Sequence, residues 1–448
     1  MTIDTAHLRF LSNIGLWFSR TLGQFAIDAR RMPGRSGDLK ETNMIRLPFH
    51  RRGIPAALLL VAVVAVAGCS SDSSQGSSGT GSGSSGGFDA ASIGISTLPE
   101  LYKGNESAPP ADAPKPVAGK SIYWISCGQQ APNCAAKAVE GQKASEAMGW
   151  DFHLIDGNFG VAGAYANAIR TAIAAKADAI VEDAFPCSDV QQPLEEAKAA
   201  GIPVLGMDTI DCSDAGGPSL FTAEMKYNAT EQSATDYWRG FGKYSAQYLI
   251  NATGGQAKII NSPGTNSQQQ LLNDGFLAEI KKCSGCEVVD TLKWNTADFV
   301  PNGPWTSAFR SSLVKHPEAT AVYVPFDGMA ASLGGSQAIR DAGKKICTGA
   351  PPYGSDCVTA VGGLGTSETL DLVRGGQWTG DGSAYDSGWV AWGAVDELNR
   401  VFNDQPTVPE GIGFTTVDSQ ENLPAKSGES FTTSFDFRSA YLKAWGVS

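Results

Sequence analysis

From Lys120 onward the chain alternates short apolar runs with longer Ala-rich stretches whose apolar residues recur at helical spacing. Residues 121–126, 151–156, 178–182 and 203–207 are short runs rich in β-branched and aromatic residues, which predicts strands. Between them, 134–148, 162–176 and 189–200 predict helices; Tyr165, Ile169, Ala172 and Ile173 share one face of the second. A second series follows. Its strands fall at 257–261, 287–293, 321–326, 358–361 and 413–417, and its helices near 227–250, 267–281, 304–315, 329–342, 366–374 and 385–403. Such alternation implies parallel sheets covered by helices on both faces. The fold class read from this pattern is α/β, with two similar lobes, each a parallel sheet flanked by helices. Lobe 1 takes 118–222 and 384–412, and lobe 2 takes 223–383. The segment 219–226 crosses between them, the chain recrosses near Gly380–Ser383, and 413–448 is a C-terminal crossing segment.

The earlier part of the chain has a different pattern. An apolar run from Ile54 to Gly68 follows Arg46, Arg51 and Arg52 and ends in small residues. It is short for a membrane span, which needs about 20 residues, and reads as an export signal. Val66-Ala67-Gly68-Cys69 resembles a bacterial lipobox, which implies a diacylglyceryl group on Cys69; two acyl chains suffice for stable anchoring. The signal is then 44–68, starting at Met44, and 1–43 is a mis-assigned or cytoplasmic extension. Residues 69–117 form a linker, first Ser/Gly-rich and then Pro-rich. A GxGxxG match at Gly81–Gly86 is an accident of low complexity, since no strand precedes it.

Charge and cysteines narrow the setting. The net charge is −12; without the segment before Cys69 the chain carries 25 Lys/Arg against 42 Asp/Glu. So acidic a surface repels phosphate backbones and excludes nucleic acid as a partner. After Cys69 an even number of cysteines remains, in close pairs: Cys127/Cys134, Cys187/Cys212, Cys283/Cys286 and Cys347/Cys357. In an exported chain these read as disulfides, paired by proximity. The Cys283–Cys286 CxxC follows a helix rather than opening one, so it reads as a structural bridge and not a redox site.

Ligands of open parallel sheets bind beyond the carboxyl ends of the strands, and two lobes place a cleft there. The strands of the first series run into Ser126, Gln129 and Gln130, then Asp183 and Phe185, then Asp208. Those of the second run into Gln268-Gln269-Gln270, then Trp294 and Phe299, then Phe326-Asp327. Carboxylates and amides match hydroxyl groups, and aromatic faces stack on C–H-rich rings. Each residue taken singly also has a structural explanation as a cap or turn; the recurrence at strand ends is the signal. Catalytic chemistry has little support. His153 and His316 belong to no metal-spaced cluster or nucleophile–base pair, and no P-loop or HExxH occurs. No cofactor or metal is expected.

Residues from about 118 to 445 resemble the sugar-binding type I periplasmic binding proteins, the ribose-binding-like solute receptors of ABC transporters. The stretches that carry the likeness are Ile202–Asp208, Ala297-Asp298-Phe299 and Ala321–Ala330, which includes Pro325-Phe326-Asp327-Gly328. The resemblance implies ligand contacts from Asp208, Asp183, Phe299 and Gln270, with first-strand contacts between Ser126 and Gln130. It also shows departures: Thr209 and Phe326 stand where the family has Arg and Asn, and Leu364 where it has Asp. These put pentose binding in doubt and favour a more apolar or differently substituted ligand. The expectation is a lipid-anchored, extracytoplasmic, monomeric binding protein of an ABC importer. It would take a sugar-like molecule and dock, when closed, on a membrane permease. The alternatives are a receptor or sensor of the same fold for a polyol, signal molecule or aromatic, and an exported glycan-active enzyme.

Overall fold

The computed structural model describes residues 88–447. The extension 1–43, the signal 44–68 and Cys69 lie outside the described residues, and among those described no helix is long and apolar enough to cross a membrane.

After a short 3-10 turn at Ala91–Ile93 comes α1 (Leu98–Lys103), capped by Thr97 and Glu100 in a reciprocal pair. Sheet 1 follows. It consists of β1 (Ser121–Ser126), β2 (Asp151–Asp156), β3 (Ala179–Asp183), β4 (Val204–Met207) and β5 (Ala223–Glu224), in the order β2-β1-β3-β4-β5. Every pairing is parallel. The crossover helices are α2 (Pro132–Ala147), α3 (Ala164–Ala174) and α4 (Gln191–Ala199). The central strand β3 is buried along its whole length, while β2, at the edge, leaves Asp151, Leu154 and Asp156 exposed.

The long helix α5 (Ala234–Ala252) opens the second half. Its sheet contains β6 (Ala257–Asn261), β7 (Cys286–Thr291), β8 (Ala321–Tyr323), β9 (Thr359–Val361), β10 (Gly380–Ala384) and β11 (Thr415–Asp418). The order is β11-β10-β9-β8-β6-β7, and β11 alone runs antiparallel. Helices α6 (Ser267–Ile280), α7 (Pro304–Lys315), α8 (Asp327–Ala330), α9 (Gly335–Asp341) and α10 (Ser367–Arg374) connect its strands. Then α11 (Ser387–Phe402) returns to pack on α2, and α12 (Phe437–Trp445) packs on α11. Helices α5 and α6 touch through two glycines. A methyl group at Gly242 would stand 1.9 Å from the Leu272 carbonyl oxygen, and one at Gly275 would stand 2.0 Å from that of Arg239.

The structure departs from the expected pattern in five places, the first being β5, which at Ala223–Glu224 belongs to sheet 1 and moves the first crossing past residue 222. Gly380–Ser383 lies within β10 of sheet 2, so the recrossing comes after Ala384. The strand reads Gly-Asp-Gly-Ser-Ala because α5 lies directly upon it: a methyl at Gly382 would stand 2.6 Å from Ser245 Cα. The helix expected at 329–342 is two helices, α8 and α9, separated by Gly334 at φ +85°. Helices α1 and α12 were not foreseen; both are short. Residues 88–117, read as an irregular linker, pack closely. The Asn105 side chain donates to Glu231 and accepts from the Phe414 amide, and Tyr102 donates to Asp418. Further on, Arg400 and Asn399 of α11 donate to the carbonyls of Asp112 and Pro114. This segment therefore runs from sheet 2 to α11, past the crossings.

The cysteines are bonded as Cys127–Cys134, Cys187–Cys212, Cys283–Cys286 and Cys347–Cys357, with Cα separations of 6.0, 5.2, 5.3 and 5.1 Å. The second joins the segments leaving β3 and β4, neighbours in sheet 1.

Candidate functional site

A cavity of about 340 Å³ lies beyond the carboxyl ends of the strands, walled by both lobes. From the lobe 1 side come Gln130 and Asn133 before and at the start of α2, Phe159 and Tyr165 after β2, Phe185 and Asp189 after β3, and Tyr385 at the crossing into α11. From the other side come Gln268 and Gln269 of α6, Trp294 and Phe299 after β7, Phe326 and Asp327 after β8, and Leu364 and Glu368 after β9. Trp238 of α5 completes the wall.

The lining is chiefly apolar and includes eight aromatic rings. Phe185 stacks on Tyr165 at 3.9 Å and 7°. Trp294 meets Phe299 edge to face at 4.8 Å and Phe326 at 5.6 Å, making a corner of three rings with Phe299–Phe326 at 6.3 Å. Two contacts join the lobes. Phe159 lies parallel to Phe299 at 6.4 Å, and Gln268 Nε2 donates to the Asp208 carbonyl at 2.8 Å.

The carboxylates at the strand ends are spent inside the protein. Lys137, on the buried face of α2, places Nζ 2.5 Å from Asp183 Oδ1 and 2.9 Å from Asp208 Oδ2; the three side chains are 0%, 0% and 1% exposed. Burial alone pulls the Lys137 ammonium down, but the two carboxylates hold it above its usual range. Burial pushes Asp183 up to about 6, against the pull of Lys137. Asp208 has φ +53°, uncommon outside glycine, and its surroundings fix it there. Its amide donates to the Tyr227 hydroxyl, which donates in turn to Oδ1. Tyr385 donates to Oδ2 at 3.4 Å. In lobe 2, Asp327 accepts from the amides of Leu364 at 2.9 Å and Thr366 at 3.2 Å. Asp381 of β10 accepts from the amides of Gly365 and Ser383. Burial and then the neighbouring Asp327 push Asp381 up to about 7.

The expected site residues are thus distributed unevenly. Gln130, Phe185, Phe299, Phe326 and Asp327 line the cavity. Asp183 and Asp208 lie behind the wall, held by Lys137. Ser126 is fully buried and accepts from Gln129 Nε2 at 2.7 Å, so these two satisfy one another outside the lining. Gln270 is exposed and donates to the Thr265 carbonyl; the α6 amides in the wall are Gln268 and Gln269. Lys137 escaped the sequence reading. Its one signal is position: with Cys134, Ala138 and Gly141 it occupies the apolar stripe of an Ala-rich helix, where a lysine needs buried counter-charges. The lining holds no His, Lys or Arg; its titratable residues are Asp189, Asp327, Glu368 and the tyrosines Tyr165 and Tyr385.

The model of the periplasmic binding protein domain matches residues 135–405. No curated protein matches the chain in sequence. Solved structures do match in fold. An ABC transporter solute binding protein of Agrobacterium vitis with bound allitol is 21% identical, with TM-score 0.53 over 68% of this chain and 97% of its own. One from Mycobacterium smegmatis with bound glycerol is 20% identical, TM-score 0.54, over 70% and 100%. A glucose-galactose binding protein of Geobacillus stearothermophilus is 15% identical, TM-score 0.56, over 67% and 98%.

Proposed function

The chain belongs to the periplasmic binding protein domain family, and on that footing we propose that it is the extracytoplasmic, lipid-anchored solute receptor of an ABC importer. It takes a sugar or sugar-like small molecule between its lobes and releases it to a membrane permease. The observation that carries this is the cavity itself. It sits at the strand ends of both sheets, both lobes build it, and its aromatic faces suit the C–H-rich faces of ring-shaped solutes. The allitol, glycerol and glucose-galactose proteins of like fold support a hydroxylated ligand. The run ending at Cys69 supports a diacylglyceryl anchor on the outer face of the membrane, and the joined cysteines agree with an oxidising compartment. We take the protein to act as a monomer and to catalyse nothing.

A second reading, a non-sugar ligand, is favoured by one observation. Lys137 already holds Asp183 and Asp208, so neither is free to grip a hydroxyl.

A thermal-shift series over pentoses, hexoses, polyols and small aromatics tests both readings. A ligand that raises Tm with the full chain but not with Phe299→Ala marks the cleft as its site. Turnover of a bound glycan would overturn the binding-only reading, and metabolic labelling with palmitate that persists in Cys69→Ala would overturn the anchor.

A further inference from the structure

We infer that the cleft is built for a ring-shaped solute carrying a protonated amine, the ammonium group lying against Glu368 and the corner formed by Trp294, Phe299 and Phe326. The inference rests on the cleft being a solute site and names the class of its ligand.

The charge of the wall is one-sided. Asp189, Asp327 and Glu368 line it, and no Lys, Arg or His does. The three carboxylates are not equivalent. Asp327 is occupied by the amides of Leu364 and Thr366. Asp189 stands exposed at the rim. Glu368 is half-buried on α10, and among the described residues no cation pairs with it and no donor reaches its carboxylate. Burial, and then the nearby Asp327, raise its pKa, as for an acid that lacks a counter-charge. Such a carboxylate costs free energy until a cation arrives.

The aromatic rings that line the same cavity suit that cation. Residue Phe326 precedes Asp327 in sequence, and its ring with Trp294 and Phe299 forms the corner whose faces stand at 74–81° to the indole. The negative faces of aromatic rings attract ammonium groups, more strongly when water is excluded. A second, independent feature points to an unmet polar group. Gln269 lines the cavity at 5% exposure, and its Oε1 has no hydrogen-bond partner. An N–H or O–H on the solute satisfies it.

Lys137 decides what the other side can do. An ammonium group already fills the corner between Asp183 and Asp208, so a second cation finds no free carboxylate there. The remaining uncompensated acid inside the cavity is on lobe 2. An anionic solute meets carboxylates in the wall and no Lys, Arg or His to offset them, and is disfavoured.

Two sources share this chemistry, aromatic amines and amino sugars. The test uses matched series on both scaffolds with the full chain. On the aromatic scaffold these are tyramine, tyrosol and 4-hydroxyphenylacetate. On the sugar scaffold they are glucosamine, glucose and glucuronate. Isothermal titration and thermal shift should rank cation over neutral over anion within at least one series, with the cation bound tenfold or more tightly than its neutral partner. The scaffold that binds identifies the source. Glu368→Gln should remove most of that advantage while leaving the neutral member within about twofold. A neutral member that binds as well as its cation, a Glu368→Gln protein that keeps the advantage, or the absence of binding by either cation overturns the inference. Binding of glucose or tyrosol in those cases, abolished by Phe299→Ala, leaves the solute-receptor reading standing.

Discussion

Both lobes bury a pair of carboxylates, Asp183 and Asp208 at the ends of β3 and β4 and Asp327 and Asp381 after β8 and within β10, and they neutralise them differently. In lobe 1, Asp183 and Asp208 share the Lys137 ammonium, which α2 delivers from the neighbouring layer. In lobe 2, Asp327 and Asp381 have no cation and receive backbone amides from Leu364, Gly365, Thr366 and Ser383. The backbone can come so close because Gly362 and Gly363 take φ of +132° and +134°; a methyl at Gly363 would stand 2.9 Å from Asp381 Oδ2. Buried carboxylates must be paired or hydrogen-bonded whatever the ligand, so their presence at strand ends is no sign of ligand contact. The cavity is lined instead by the aromatic residues beside them. The two solutions also differ in what they tolerate: lobe 1 depends on one side chain, lobe 2 on a loop.

The largest effect that separates them should come from Lys137→Met. It leaves two fully buried carboxylates without their cation, and we expect a loss of about 3–5 kcal/mol in urea unfolding. Restoring neutrality with Asp183→Asn and Asp208→Asn in the same chain should recover much of it. Asp381→Asn, which loses one acceptor for a backbone amide, should cost about 1 kcal/mol. Equal costs for Lys137→Met and Asp381→Asn would erase the contrast between the lobes.

The second test is pH. Asp381 is pushed to about 7 in the folded chain, above its unfolded value, so the native state binds its proton more tightly. That stability is fully present below the unfolded pKa, near 4, and is lost as pH rises to about 7. Asp183, pushed to about 6, adds to the same slope. Unfolding free energy should therefore fall by a few kcal/mol between about pH 4 and 7 from these two groups. The slope should shrink in Asp381→Asn, measured by urea titration at each pH. An unchanged slope in that variant would mean that the loop amides alone hold Asp381 ionised.

These contrasts also show what the sequence can reveal. The strands and most helices were legible because parallel sheets need apolar runs, and the helices over them need an apolar stripe. β10 was not, because its glycines serve the close approach of α5 and leave no hydrophobic alternation. The aromatic wall was legible in part: Phe185 and Phe326 closely follow strands and Phe299 closes the Ala297-Asp298-Phe299 stretch, whereas Phe159 sits in a turn with positive φ at Asn158 and Phe159. The partners of Asp183 and Asp208 were hidden because Lys137 is 71 residues from Asp208 and nothing local marks the pairing. The offset between Gln270 and Gln268 is a matter of helical phase. Three consecutive glutamines occupy three directions around α6, and composition does not choose among them.

That phase supplies the finest test. Gln268 is 3% exposed and reaches across the cleft to the Asp208 carbonyl, whereas Gln270 is exposed and bonds within its own segment. When the lobes part, water satisfies both groups of the Gln268 bond, so the bond favours the closed form alone. Gln268→Ala should therefore remove about 1 kcal/mol from closure, leaving unfolding stability nearly unchanged and weakening ligand roughly fivefold. The change should appear mainly as faster dissociation, as most changes at a binding interface do. Gln270→Ala should leave both constants within about twofold of the parent, because its bond to Thr265 is the same in either state. Stopped-flow release of whichever solute the thermal screen identifies would read both variants. Equal release rates would place the Gln268 bond outside the closing step and leave the aromatic contact of Phe159 with Phe299 as the tie between the lobes.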